Sequence, residues 1–123
     1  MARDAYTALV TPLNARVVAL GARVDAANGD RIELRRIAGD YAALEADFAS
    51  GLLAIDFPAD IAPTVSSALT AVDRVGALNR RLTTADGDTV LAIGAELSAA
   101  LDEQRAQLST LRRSLGLGEL PGG

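Results

Sequence analysis

The sequence predicts an all-α fold, an up-down-up-down antiparallel four-helix bundle forming one domain over residues 1–123, and three observations carry that prediction. Apolar residues recur at alternating spacings of four and three along most of the chain, the periodicity of one helix face. Ala and Leu dominate while Trp is absent and Tyr and Phe number two each, a composition that favours helix over strand. The links between periodic stretches are short, which makes consecutive helices antiparallel neighbours. A three-helix bundle with an extra arm is the alternative architecture.

The first helix carries Tyr6, Val10, Leu13, Val17, Leu20, Val24 and Ala27 on one stripe. Pro12 falls on the opposite side, so the helix is expected to kink there with the Ala8 carbonyl losing its partner; a fresh start capped by Thr11 is the other reading. Asn28-Gly29-Asp30 then supplies a glycine for a left-handed C-terminal position and a cap for the second helix, with Glu33 completing a capping box. The second helix carries Leu34, Ile37, Tyr41, Leu44 and Phe48 and is expected to fade at Ser50 and Gly51. The third carries Ile61, Val65, Ala68, Val72, Val75 and Leu82, capped by Asp60 with Pro63 in its first turn, where a missing N–H leaves no acceptor unsatisfied. The fourth carries Val90, Leu97, Leu101, Leu108, Leu111 and Leu115 and ends at Gly116. Between the second and third helices, Leu52 to Pro63 sets two prolines among Ile55, Phe57 and Ile61. We read this segment as an apolar plug over one end of the core rather than an active-site loop, with Pro58 holding Phe57 extended.

Three stretches, AYTALVTPLNARVVAL, LLAIDFPADI and LRRSLGLG, resemble a pattern in small Ala-rich helical proteins and lipoproteins of actinobacteria that have no assigned activity. The likeness covers nearly the whole chain. It implies export and an envelope setting, often through a leader and a lipidated Cys; this sequence has no cysteine. No catalytic or binding residue is implied.

The composition excludes several chemistries. All twelve basic residues are arginine, which we read as codon usage, and the net charge of −4 argues against a nucleic-acid surface. With no His, a ferritin-like di-iron site and a Ser or Cys triad lack their required ligand or base, and with no Cys there is neither disulfide nor thiolate chemistry. Paired carboxylates are the one catalytic device left, but Asp56 and Asp60 read as caps. Asp86-Gly87-Asp88 resembles part of a calcium loop, yet Val90 stands where the third acidic ligand belongs, so a turn plus helix cap is expected. The carboxylates are read as avoiding the apolar stripes, and no metal, cofactor or catalytic residue is predicted. No stretch reaches the ~20 apolar residues of a membrane span, and Asp4 and Tyr6 interrupt any signal-like run; the chain is expected to be extracytoplasmic if a leader has been removed, otherwise cytoplasmic.

Two candidate sites remain. Arg23, Arg31, Arg35, Arg36, Arg80 and Arg81 gather at one end of an up-down bundle as a candidate anion or partner surface, with Arg36 placed to pair with Asp40. Gly21, Gly39, Gly76 and Gly94 come to similar heights, a candidate cavity layer roughly 13 Å below that end at 1.5 Å rise per residue; close helix approach is the competing explanation. The first functional expectation is therefore a non-enzymatic interaction or structural module with a solid core and an unidentified protein partner, homo-oligomerisation staying open. The alternative is a carrier holding a small apolar ligand between the helices.

Overall fold

The computed structural model describes residues 1–118. Within them four helices pack side by side in chain order, α1 (Ala2–Ala27), α2 (Arg31–Ala54), α3 (Ala62–Leu82) and α4 (Asp88–Ser114), with no strand among the described residues. The architecture is the four-helix bundle that the periodicity predicts. Its broadest interfaces join α2 to α3 and α3 to α4; α1 packs on α2. The two short links, 28–30 and 83–87, lie at one end, and the 55–61 link lies at the other with the start of α1 and the close of α4. None of these helices is long and apolar enough to cross a membrane.

Local chemistry sets the boundaries. Asn28 and Gly29 both take positive φ, 47° and 83°, and reverse the chain after α1. Asp30 then caps α2, its Oδ1 accepting from the amides of Ile32 (3.0 Å) and Glu33 (3.3 Å). The capping box closes only in this direction, because the Glu33 carboxylate accepts from Arg23 instead (3.0 Å) and the Asp30 amide donates to the Ala27 carbonyl. α4 ends in a Schellman motif: Gly116, at φ 75°, donates to the Arg113 carbonyl and Leu117 to that of Arg112.

Several boundaries differ from expectation. α1 begins at Ala2 and continues through the exposed Pro12, so there is no fresh start at Thr11. α2 does not fade at Gly51 but runs on to Ala54, because Leu52, four residues after Phe48, is fully buried and Gly51 leaves space that the Leu9 side chain occupies. Asp60 does not cap α3: a 3₁₀ turn at Ala59–Ile61 precedes it, the Ile61 amide donating to the Pro58 carbonyl (3.1 Å), and Pro63 falls in the first turn of α3. Asp88 is the first residue of α4 rather than its cap, the cap position being Gly87 at φ 52°.

The outer helices bury less than their apolar stripes would allow. On α1 the buried residues are Tyr6, Leu13 and Leu20, seven apart, while Val17 and Val24 are 43% and 39% exposed. On α4 the buried residues are Ile93, Ala100, Leu108 and Leu111, and Val90 and Leu101, expected inside, are outside. Each outer helix therefore shows its single inner neighbour one edge and leaves the other edge uncovered.

At the end remote from the short links the core is well filled. Tyr6 is buried with its ring centroid 6.5 Å from that of Phe48, and Arg112 of α4 hydrogen-bonds its hydroxyl, so α1 and α4 meet here. Burial raises the pKa of Tyr6, partly offset by the charge and hydrogen bond of Arg112. Ile55 and Phe57 pack on the same cluster half-buried, together with Leu115 and Leu117, which makes the 55–58 segment a partial cover over the core. Replacing Phe57 by Ala is expected to cost about 1 to 2 kcal/mol in denaturant melts, less than the ~3 to 5 kcal/mol of a fully enclosed ring. A loss indistinguishable from zero would show that the ring covers nothing.

Candidate functional site

At the opposite end, α1 and α4 leave a cleft between them. Its walls come from Val24 of α1, Leu34, Ile37, Ala38 and Tyr41 of α2, Leu82 of α3 and Val90, Leu91 and Leu97 of α4, with Ala85 from the link, and its volume is about 620 Å³. Arg31, Arg35, Asp86 and Asp88 stand at the mouth; Tyr41, Asn79 and Leu97 lie furthest in. From Arg31 to Tyr41 the wall of α2 is ten residues long, or about 15 Å of helix rise. The lining is overwhelmingly aliphatic, which water wets poorly and an apolar molecule fills well.

The cause of the cleft lies in the two outer helices, not in the glycines. None of Gly21, Gly39, Gly76 and Gly94 lines it. A Cβ at Gly21 or Gly94 would meet nothing within 4 Å, and Gly94 is exposed rather than on the buried stripe. A Cβ at Gly39 would touch Thr83 Cγ2 at 3.6 Å, and one at Gly76 would come within 3.3 Å of Glu45 Cβ. Gly76 thus lets α2 and α3 approach closely, a Cβ at Gly39 would be accommodated, and the four residues do not form a hollow.

The six arginines do collect at the cleft end, but most are neutralised in place. Arg23 bridges Asp40 (2.6 Å) and Glu33 (3.0 Å), and Arg36 lies 3.8 Å from Glu33 rather than pairing with Asp40, which Arg23 occupies. Arg81 meets Glu96 at 3.3 Å. Arg35 pairs with Asp86 and donates to the Ala85 carbonyl (3.1 Å), tying the α3–α4 link to α2 at the cleft mouth. Arg31 and Arg80 have no ion pair among the described residues. Such exposed pairs contribute little stability, but they leave little net positive field for an anion.

One buried polar pair runs against the sequence reading that carboxylates avoid the core. Glu45 is 6% exposed, and its Oε1 accepts from Gln104 Nε2 at 3.5 Å, joining α2 to α4 across the bundle. Glu45 Oε2 and Gln104 Oε1 are both buried without a partner. Burial raises the Glu45 pKa from 4.5 to about 7, the Gln104 hydrogen bond opposing the shift. Protonation removes the buried charge and makes the carboxyl a donor, for which Gln104 Oε1 is an unused acceptor in the same pair of side chains. The signal was present in the sequence: Glu45 lies four residues after Tyr41 and three before Phe48, on the buried side of α2. Gly76, facing Glu45, supplies the space for that side chain.

No family model, curated protein or solved structure matches this chain. Its chemistry is therefore read from the residues themselves. Among the described residues no three His, Cys, Asp or Glu side chains group as a metal site would require, and the polar groups of the cleft are Arg31, Arg35, Tyr41, Asn79, Asp86 and Asp88.

The Glu45 pair generates a pH dependence of stability. With a folded pKa of about 7 against 4.5, the native state holds more protons than the unfolded chain between those values, so stability falls as pH rises through this window, by up to about 3 kcal/mol, and is flat with respect to this group above and below it. No histidine titrates there to obscure the slope. Glu45→Gln should remove the slope between about pH 5 and pH 8 and leave the protein more stable than wild type at the alkaline end. A wild-type melting curve that does not change over that range would refute the assignment.

Proposed function

We propose that this protein is a non-enzymatic binding module that holds a small apolar molecule in the cleft between α1 and α4. The observation that carries this reading is the cleft itself: at about 620 Å³ it falls within the range of ~300 to 1,000 Å³ typical of ligand pockets, and aliphatic side chains from all four helices line it. A solid-cored module has no use for such a space. The neutralised arginines favour an uncharged occupant over an anion, and the fold gives the cleft a firm back wall in the α2–α3 pair. The likeness of three sequence stretches to small actinobacterial lipoproteins supports placing this role at the cell envelope.

The interaction-module reading keeps one specific support, the exposed apolar side chains of the outer helices: Val18 is 73% and Leu91 75% exposed, with Val17 and Leu101 partly so. Those edges suit contact with a protein partner or a second copy of the chain.

Titration with Nile red, a neutral solvatochromic dye, separates the readings. The cleft predicts saturable, blue-shifted binding at one site, reduced at least ~10-fold by Leu34→Trp, whose indole would occupy the cleft while the helical circular dichroism stays unchanged. Absence of saturable binding, or binding unaffected by Leu34→Trp, would overturn the ligand-binding reading.

A further inference from the structure

The inner end of the cleft is not uniformly apolar. Asn79 of α3 lines it while being only 5% exposed, so its carboxamide has little access to bulk water. Its Nδ2 donates to the Val75 carbonyl one turn back, at 3.1 Å. That bond fixes which way the amide points, because a carbonyl oxygen only accepts, so the nitrogen must face Val75 and Oδ1 must be the free end. Among the described residues no donor meets Oδ1. It is also not among the fully enclosed unpartnered atoms, which are confined to Glu45 and Gln104; its remaining access is to the cleft.

Tyr41 stands opposite on α2. The contact of Gly76 with Glu45 and of Gly39 with Thr83 sets the antiparallel register of α2 and α3, and in that register Tyr41 is level with Arg80 and Arg81, with Asn79 about 1.5 to 3 Å further in. The Tyr41 ring is half-buried in the cleft wall, its pKa is raised by that burial, and its hydroxyl has no protein partner among the described residues. Two uncharged hydrogen-bonding groups thus line the inner part of the cleft within about 3 Å of the same level, one of them an acceptor with no protein donor among the described residues. Oδ1 is open to the cleft, so a ligand that fills the cleft without a donor would leave it buried and unpaired, and one that supplies the donor gains over it.

The charge lining the cleft at this depth disfavours an acid. Of the arginines that line the cleft, Arg31 lies about 15 Å and Arg35 about 9 Å from Tyr41 along α2; Arg80, close to the level of Tyr41, is exposed and does not line the cleft. A carboxylate placed there would face an acceptor with no arginine of the cleft lining at that depth, and it has no proton to offer Asn79 Oδ1.

We infer that the ligand is a neutral apolar molecule bearing a hydroxyl, inserted hydroxyl first, with Asn79 Oδ1 accepting from it, the Tyr41 hydroxyl completing its hydrogen bonding and its apolar body lying along Leu34, Leu82 and Val90. This rests on the cleft being a ligand site and adds the ligand's chemical class and orientation.

The test is competition for bound Nile red by three matched probes, decanol, methyl decyl ether and decanoate, against wild type, Asn79→Leu and Tyr41→Phe. Wild type should take decanol about 10-fold more tightly than the ether, which cannot donate, with decanoate weakest. Asn79→Leu should abolish the alcohol's advantage while the ether competes as before; Tyr41→Phe, which leaves the fold least disturbed, should reduce that advantage without abolishing it. Equal competition by alcohol and ether in wild type would overturn this inference while leaving the cleft as a ligand site. An advantage for decanol that survives both substitutions would do the same, as would decanoate binding tightest, which would put the head group at Arg31. Failure of Nile red to bind wild type at all would instead overturn the ligand-site reading and this inference together.

Discussion

The contact between α2 and α3 at Gly76 and Glu45 is the constraint on which the rest of the bundle depends. These two helices form its broadest interface together with α3 and α4, and the missing side chain at residue 76 lets α3 lie close enough for Glu45 Cβ to sit where a neighbouring Cβ would be tight, at 3.3 Å. A buried glycine in mid-helix disfavours the helix by ~1 kcal/mol relative to Ala, so the gain must come from the packing it permits. What it permits is a rigid two-helix wall that also accommodates a carboxyl within the core. That carboxyl then reaches Gln104 and couples α4 to α2, two helices that are otherwise diagonal.

The outer helices attach to this wall from opposite sides and are not symmetric along their length. Near the 55–61 link they meet: Tyr6 and Arg112 touch, and Leu13, Leu108 and Leu111 belong to one apolar cluster with Phe48 and Leu52. Near the short links they do not, and Val24, Val90 and Leu91 border a space where a closed bundle would have core. The second, smaller cluster of Val75, Leu78, Ala85, Ile93 and Ala100 holds only α3, α4 and their link together at that end. Closure at one end and separation at the other leave a cleft at the end with the short links. The ion pair of Arg35 with Asp86 and the Arg35 bond to the Ala85 carbonyl place the link against α2 at the mouth.

The number, order and polarity of the helices were legible in the sequence because they follow from local periodicity and turn chemistry, as the Asn28-Gly29-Asp30 link and Gly116 illustrate. Which apolar residues are actually buried was not. Val17, Val24, Val90 and Leu101 sit on well-formed stripes, and only the failure of α1 and α4 to close over them leaves them exposed, a tertiary fact that no single helix records. A hollow was expected from the glycines, whereas none of the four lines the cleft, and Gly76 instead lets α2 and α3 approach closely. Asn79 and Glu45 were missed because an apolar stripe is read by its hydrophobic members, although both lie at helical spacing from buried neighbours, Asn79 four after Val75 and Glu45 three before Phe48. A polar residue in phase with a buried stripe is the sequence feature that marks a polar group inside this bundle.

The account turns on an apolar molecule entering between α1 and α4 at the end with the short links. Methyl-resolved NMR of the protein with bound Nile red tests this most directly. The account predicts intermolecular nuclear Overhauser contacts from the dye to the methyl groups of Val24, Leu34, Leu82, Val90 and Leu97, and none to Leu13, Leu44, Leu52 or Leu108 in the filled half of the core. Contacts confined to exposed side chains such as Val18 and Leu53, with the cleft methyl groups untouched, would contradict it.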